Sequence, residues 1–153
     1  MSRTGPAGPA LLAAALRLAA AAHDGQVDKA GGPYLAHPLR VAARLADHGP
    51  VAIAAGLLHD VVEDSASTLE DLEAAGIPAE VCDAVDALTR RPGEPYAQAV
   101  QRAAAHPLAR RVKAADLADN LDPTRLAVLP PATRERLQAK YTAALHALES
   151  RRA

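Results

Sequence analysis

Val51-Ala52-Ile53-Ala54-Ala55-Gly56-Leu57-Leu58-His59-Asp60-Val61-Val62-Glu63-Asp64 reads as one helix over Val51–Glu63 whose first two turns are apolar on every side. A helix with no polar face belongs in the middle of a bundle, walled by other helices. The rest of the chain supplies such walls. Its 153 residues include 39 alanines and 20 leucines, but no Phe, no Trp and only three Tyr, so the aromatic stock of a large sheet is missing. An all-α fold with a single core follows, since this length suits one domain.

Outward from that helix, Gly49-Pro50 marks its start and the stop of a preceding helix over Leu35–His48. Leu11, Leu12, Leu16, Ala19 and Ala20 repeat at helical spacing and predict a first helix over Pro9–His23, preceded by a flexible lead over residues 1–9. The polar run Asp24–Pro33 is a long loop. Downstream, Thr68 with Asp71 forms a capping box for a short helix ending at Gly76. Further helices are predicted over Pro78–Thr89, Pro95–Ala105, Pro107–Asn120 and Pro131–Ser150, with breaks at Pro92-Gly93, His106 and Asp122-Pro123. The domain thus spans residues 10–153, and Thr133–Arg152 is expected to serve packing or oligomer formation.

A net charge of −1 removes the basic field that nonspecific nucleic-acid or anionic-membrane binding requires. The longest uncharged apolar stretches, Ala10–Leu16 and Val51–Leu58, fall far short of the roughly 20 residues that span a bilayer. The single Cys82 allows no internal disulfide, and the first ten residues do not read as a secretory signal, so a cytoplasmic setting is expected.

His59, Asp60, Glu63 and Asp64 crowd three carboxylates and an imidazole into the end of the apolar helix. At about 100° per residue, His59 and Glu63 lie within about 40° of each other, as do Asp60 and Asp64. A helix C-terminus disfavours carboxylates, and burial there costs several kcal/mol for each unless a cation meets it. Emergence into solvent would remove that cost, so the acids alone leave both readings open. Imidazole beside carboxylate is ligand chemistry for Mn, Fe, Co, Ni or Zn rather than Ca or Mg. Two residues do not complete such a site, and His37 and Asp116 are the candidates on neighbouring helices.

In this order, His37, His59-Asp60 and Asp116 resemble the HD-domain metal-dependent phosphohydrolases, and the fuller pattern is similar to the (p)ppGpp hydrolase domain of the RelA/SpoT homologues, of the small stand-alone type. Ala22-His23-Asp24-Gly25-Gln26, Lys29, Gly31, Pro33-Tyr34 and His37-Pro38 match the first motif; Leu57–Asp64 matches the second, and Thr89 and Lys113–Asn120 match the third and fourth. The likeness covers about residues 10–126.

The resemblance implies an HD-type helical bundle in which His37, His59, Asp60 and Asp116 hold one divalent ion, Mn2+ by preference. Two carboxylates neutralise the dication, and open coordination positions remain for water and a phosphate oxygen. Binding lowers the pKa of that water from 15.7 toward about 7, making hydroxide the implied nucleophile. Glu63 and Asp64 are implied as the groups that orient it and move protons. Lys29 is assigned to substrate phosphate, with a solvated loop residue as its alternative; Asn120 is assigned to the nucleotide, with helix capping as its alternative. His23 reads as structural, and His48, His106 and His146 are assigned no chemistry. The implied reaction is removal of the 3′-pyrophosphate from guanosine tetra- or pentaphosphate. Hydrolysis of a different nucleotide or phosphorylated cofactor, and an inert metal-stabilised binding module, are the alternatives.

Three positions depart from the pattern. Asp28 stands where the family usually has an arginine that packs on guanine, Leu117 replaces an arginine after the metal-binding aspartate, and Pro123 replaces a threonine, with Thr124 one residue late. An acid offers no cationic stacking and repels phosphate, so base recognition is the part of the reading these changes touch.

Overall fold

The computed structural model describes residues 8–150, and among these the only β pairing is an isolated antiparallel bridge between Val27 and Pro33. The elements are α1 (Gly8–Ala22), α2 (Ala36–Arg44), a 3-10 turn (Ala46–His48), α3 (Pro50–Leu58), α4 (Val61–Asp64), α5 (Leu69–Ala74) and α6 (Ala79–Leu88). After these come α7 (Tyr96–Ala105), α8 (Pro107–Asn120), α9 (Pro123–Leu126) and α10 (Pro131–Ser150). The all-α expectation is met. Of the lead expected over residues 1–9, Gly8 and Pro9 already belong to α1, and the first seven residues lie outside the described ones.

α3 occupies the centre, packed by α1, α2, α6 and α8. Ala52, Ala54, Ala55, Gly56, Leu57 and Leu58 are all buried there, as its all-round apolar sequence requires. Burying one leucine fully is worth about 1.5–3 kcal/mol, so this helix anchors the core. A second, smaller cluster of Val100, Ala104, Leu117, Ala144 and Leu148 binds α10 to α7 and α8.

α2 and α3 meet at Gly56. A Cβ there would lie 2.8 Å from the buried Leu45 Cδ1 and 3.3 Å from the Ala42 Cα, so a larger residue would have to push the Leu45 side chain and the α2 backbone aside. Gly56→Val should therefore destabilise the fold by about 1–3 kcal/mol through overpacking. Thermal unfolding checks this, and an unchanged Tm would contradict the close approach.

Two elements correct the sequence expectations. The helix predicted to run unbroken over Val51–Glu63 stops at Leu58, because Asp60 turns to φ −104°, ψ −2°, and the His59 imidazole Nδ1–H donates to the Gly56 carbonyl at 2.6 Å. A new turn, α4, then begins, and the acids sit on it rather than on the end of α3. The break expected at Asp122-Pro123 is present between α8 and α9, but a short helix that the sequence reading did not include, α9, starts at once after it: proline fits the first helical turn, and Asp122 caps it by accepting from the Thr124 amide at 2.9 Å.

Candidate metal centre and substrate cavity

Three helices and one turn converge on a small cluster of nitrogen and oxygen atoms. His37 enters from the first turn of α2, His59 and Asp60 from the α3–α4 junction, and Asp116 from α8. His37, His59 and Asp116 are buried and Asp60 is half-buried. His37 Nε2 lies 2.9 Å from Asp116 Oδ1 and 3.8 Å from Asp60 Oδ2; His59 Nε2 lies 3.1 Å from Asp60 Oδ2 and 3.6 Å from Asp116 Oδ1. One ligand atom each from His37, His59 and Asp60 falls within a mutual 4.8 Å.

The outer nitrogens fix the tautomers. His59 Nδ1 faces the Gly56 carbonyl, which only accepts, and His37 Nδ1 faces Asp119 Oδ2 at 2.6 Å, so both Nδ1 atoms carry protons. In neutral imidazoles the Nε2 lone pairs would then face carboxylate oxygens. His59 Nε2 has no hydrogen-bond partner. Such a gathering of electron-rich atoms repels itself unless positive charge is placed inside it.

Protons are one form of that charge. Burial opposes the charged imidazole, but the carboxylates prevail: the hydrogen bonds to Asp116 and Asp119 raise His37, and the charges of Asp60 and Asp116 raise His59 well above the ordinary histidine value. Burial likewise pushes Asp60 up, yet the charge of His59, 3.1 Å away, holds it down at about 2. Asp116 is held well below the usual range, against burial, by Lys113 and the two histidines. A divalent cation carries the same charge as the two protons it would replace, and imidazole with carboxylate is a donor set such ions accept. The residues fit a metal.

Asp119, which the sequence reading passed over, is the anchor behind this cluster. It is fully buried and accepts from His37 Nδ1–H, from Arg40 Nε at 2.8 Å and from Arg125 Nη1 at 2.8 Å. Its position three residues after Asp116, on the same face of α8, was the available signal. Tyr34 was likewise given no role, and its hydroxyl donates to Asp60 Oδ2 at 2.5 Å.

The cluster forms the acidic floor of a cavity of about 580 Å³. Glu63 and Asp64 stand on that floor, with carboxylate oxygens within 4.8 Å of Asp60. Glu63 Oε1 accepts from the Arg90 amide at 2.7 Å. Burial first, then the charges of Asp60 and Glu63, pushes Asp64 up to about 6. The same cavity is also lined by the cations Lys29, Arg90 and Lys140. Arg102 sets the α6–α7 connection that carries Arg90 by gripping the Glu94 carboxylate and donating to the Thr89 carbonyl at 2.7 Å.

Lys29 and Asn120 both line the cavity. Asn120 does not cap a helix: its amide donates to Asp116 Oδ1 at 3.1 Å and its oxygen accepts from Arg125 at 3.1 Å. His23 is buried, with Nδ1 2.9 Å from Gln26 Oε1 and Nε2 without a hydrogen-bond partner. α10, read from sequence as a packing helix, also contributes Leu137, Lys140 and Tyr141 to the cavity.

The departures acquire physical explanations. Asp28 Oδ1 accepts from the amides of Ala30 and Gly32, each at 2.9 Å, and the Asp28 amide donates to the Gly32 carbonyl at 2.8 Å. Its carboxylate therefore closes its own loop, with Gly31 at φ 87° completing the turn. Leu117 is 0% exposed, in the α8–α10 cluster, where an arginine could not be accommodated without losing that packing.

An all-α bundle in which two buried imidazoles gather with the Asp60 and Asp116 carboxylates at the floor of a cavity offers the donor set of a metal site. The family model described as HD domain matches residues 15–138, and the chain belongs to that family. It is similar to the GTP pyrophosphokinase of Streptomyces coelicolor, 54% identical over 52 residues, covering 33% of this chain and 6% of that protein. It is also similar to the probable guanosine-3′,5′-bis(diphosphate) 3′-pyrophosphohydrolase of Synechocystis, 52% identical over 54 residues, covering 34% of this chain and 7% of that protein. The chain thus aligns with under a tenth of the length of these relatives. A solved structure of a metazoan ortholog of SpoT, described as hydrolyzing ppGpp and acting in starvation responses, aligns with TM-score 0.78 and 27% identity over 95% of this chain and 88% of that one.

Proposed function

We propose that this chain is a metal-dependent phosphohydrolase that removes the 3′-pyrophosphate from guanosine 3′,5′-bis(diphosphate), leaving GDP and pyrophosphate, with Mn2+ held by His37, His59, Asp60 and Asp116. The observation that carries this reading is the meeting of two Nδ1-protonated imidazoles with Asp60 and Asp116 beneath a cavity walled by cations. The relatives' names point to the same substrate. A divalent ion in that place supplies charge to polarise a phosphate oxygen and to make a water acidic enough to attack near neutral pH.

The chain's own residues do the remainder. Asp119 and the Gly56 carbonyl hold the imidazoles in the tautomer that points Nε2 inward. Tyr34 fixes one Asp60 oxygen, and Lys113 fixes Asp116 Oδ2 at 2.9 Å. Glu63, beside Asp60 on the floor, takes up and returns the reaction's proton, with Asp64 as its neighbour. Glu63→Gln keeps an acceptor for the Arg90 amide but cannot take a proton. It should leave metal content unchanged and lower kcat by about 10²–10⁴. Parallel metal analysis and pyrophosphate release check this, and joint loss of metal and rate would contradict the division of roles.

The reading is tested by supplying Mn2+ and guanosine tetraphosphate and following GDP and pyrophosphate. A second reading, hydrolysis of a different phosphorylated nucleotide or cofactor, is favoured by one observation: Asp28 and Leu117 are both committed to structure, and neither supplies a cation to stack on the base. Under it, guanosine tetraphosphate is ignored while another substrate is cleaved. Asp28→Arg would break the loop's two side-chain hydrogen bonds rather than simply add a base contact. The cytoplasm suits either reading: Cys82 is a buried free thiol, and no helix among the described residues is long and apolar enough to cross a membrane.

A further inference from the structure

α4 carries Glu63 and Asp64, yet a helix of four residues cannot hold its own place, so its position comes from what grips it. Within the turn, the Asp64 amide donates to the Asp60 carbonyl at 2.9 Å, and Ser65 Oγ donates to the Val61 carbonyl at 2.6 Å. From outside, the core closes over Val61, the Arg90 amide reaches the Glu63 carboxylate, and Gln26 Nε2 donates to the Asp64 carbonyl at 2.8 Å. That last bond ties the loop after α1 to the far end of α4, across 38 residues of sequence.

Gln26 is itself fixed on both sides. The carbonyls of Asp64 and Ala22, at 2.8 and 3.3 Å, only accept, so the NH2 side of the Gln26 amide faces them and its Oε1 faces His23 Nδ1, 2.9 Å away. His23 Nδ1 therefore carries the proton, the same tautomer as in His37 and His59. The His23 ring is buried, with its centre 5.0 Å from that of Tyr34. The Gln26 carbonyl in turn accepts from the Tyr34 amide at 2.9 Å, and the Tyr34 hydroxyl donates to Asp60. One glutamine thus holds the turn of the acids by its side chain and, by its backbone, the tyrosine that fixes Asp60 Oδ2. Gln26 does not line the cavity, so it acts through these other residues.

We propose that Gln26, locked by His23, is a positioning residue that sets where Glu63 and Asp64 stand relative to Asp60. The inference rests on the phosphohydrolase reading and goes beyond it, since it places part of the rate in two residues that touch no substrate. A misplacement of about 1 Å can cost about 10²-fold in rate, so one bond at the end of a short turn is enough to matter.

The test uses Gln26→Met in the full chain, which keeps the length of the side chain and removes its hydrogen bonds. Hydrogen exchange reads the brace without turnover: exchange over residues 61–65 should rise about tenfold while that of α8 stays as in wild type. With Mn2+ and guanosine tetraphosphate, kcat should fall about tenfold, with KM and Mn2+ affinity within about twofold of wild type. In a Glu63→Gln background the same substitution should cost less than about twofold, because the acid being positioned no longer takes a proton. His23→Phe, which keeps a ring against Tyr34 but leaves the amide unlocked, should lower kcat in the same selective way, and it carries the test if Gln26→Met does not fold. Unchanged exchange over residues 61–65 overturns the brace. An unchanged kcat, an equal loss in both backgrounds, or a loss of Mn2+ affinity that accounts for the rate overturns the positioning role. Raised exchange in a protein whose wild type leaves guanosine tetraphosphate intact removes the proposed reaction instead, and the brace stands.

Discussion

Asp116→Ala should purify without bound metal and hydrolyse guanosine tetraphosphate at least 10⁴-fold more slowly than wild type, with the bundle still folded. Asp116 touches both imidazoles, Lys113 and Asn120, so its removal takes away a ligand and the charge that organises the others. Lys113, freed from its acid, would sit close to where the dication belongs and repel it. His59→Ala should do the same to the metal by removing an inward nitrogen. The fold should survive because α3 and α8 are held by apolar neighbours: Leu57, Leu58, Val112 and Leu117 are buried independently of the cluster. Metal analysis of the purified variants, beside their helical circular dichroism, checks both statements. A variant that retains stoichiometric metal would remove Asp116 from the ligand set.

Asp119→Ala should be the most destabilising of the polar substitutions and should weaken metal binding by about 10–100-fold without touching the metal. The change leaves His37 Nδ1, Arg40 and Arg125 without their shared buried acceptor. Removing one partner of a buried ion pair costs about 3–5 kcal/mol, and the lower end applies because the two arginines retain solvent access. With Nδ1 unanchored, the His37 ring no longer holds the tautomer and direction that point Nε2 inward. Urea unfolding and Mn2+ titration measure the two effects. Lost stability with unchanged metal affinity would reduce Asp119 to a purely structural role.

The central helix was legible because its apolar pattern has one physical meaning, and the convergence of His37, His59, Asp60 and Asp116 was legible through the family resemblance. An apolar run without a polar face has to be buried, and imidazoles with acids on separate helices have to meet a cation or remain unsatisfied. Asp119 was not legible, since a lone aspartate reads as surface charge until the fold closes helices over it. The break at His59-Asp60 was hidden because both residues are compatible with helix and the interruption depends on an imidazole bonding back to Gly56. Asp28 shows what comparison with a family pattern leaves out: the arginine's stacking contact is absent, and the local hydrogen bonds by which the carboxylate folds its own loop were not visible in that comparison. Lys140 had no motif to mark it, and only the docking of α10 on α7 brings it to the cavity.

The central claim is that one divalent ion sits among His37, His59, Asp60 and Asp116 and that hydrolysis depends on it. Titrating Mn2+ into EDTA-treated wild-type protein, by electron paramagnetic resonance with pyrophosphate release followed in the same samples, tests it most directly. The account predicts saturation at one ion per chain, with hydrolysis rising in step with occupancy. Full turnover in EDTA, or no site saturating at one ion per chain, would contradict it.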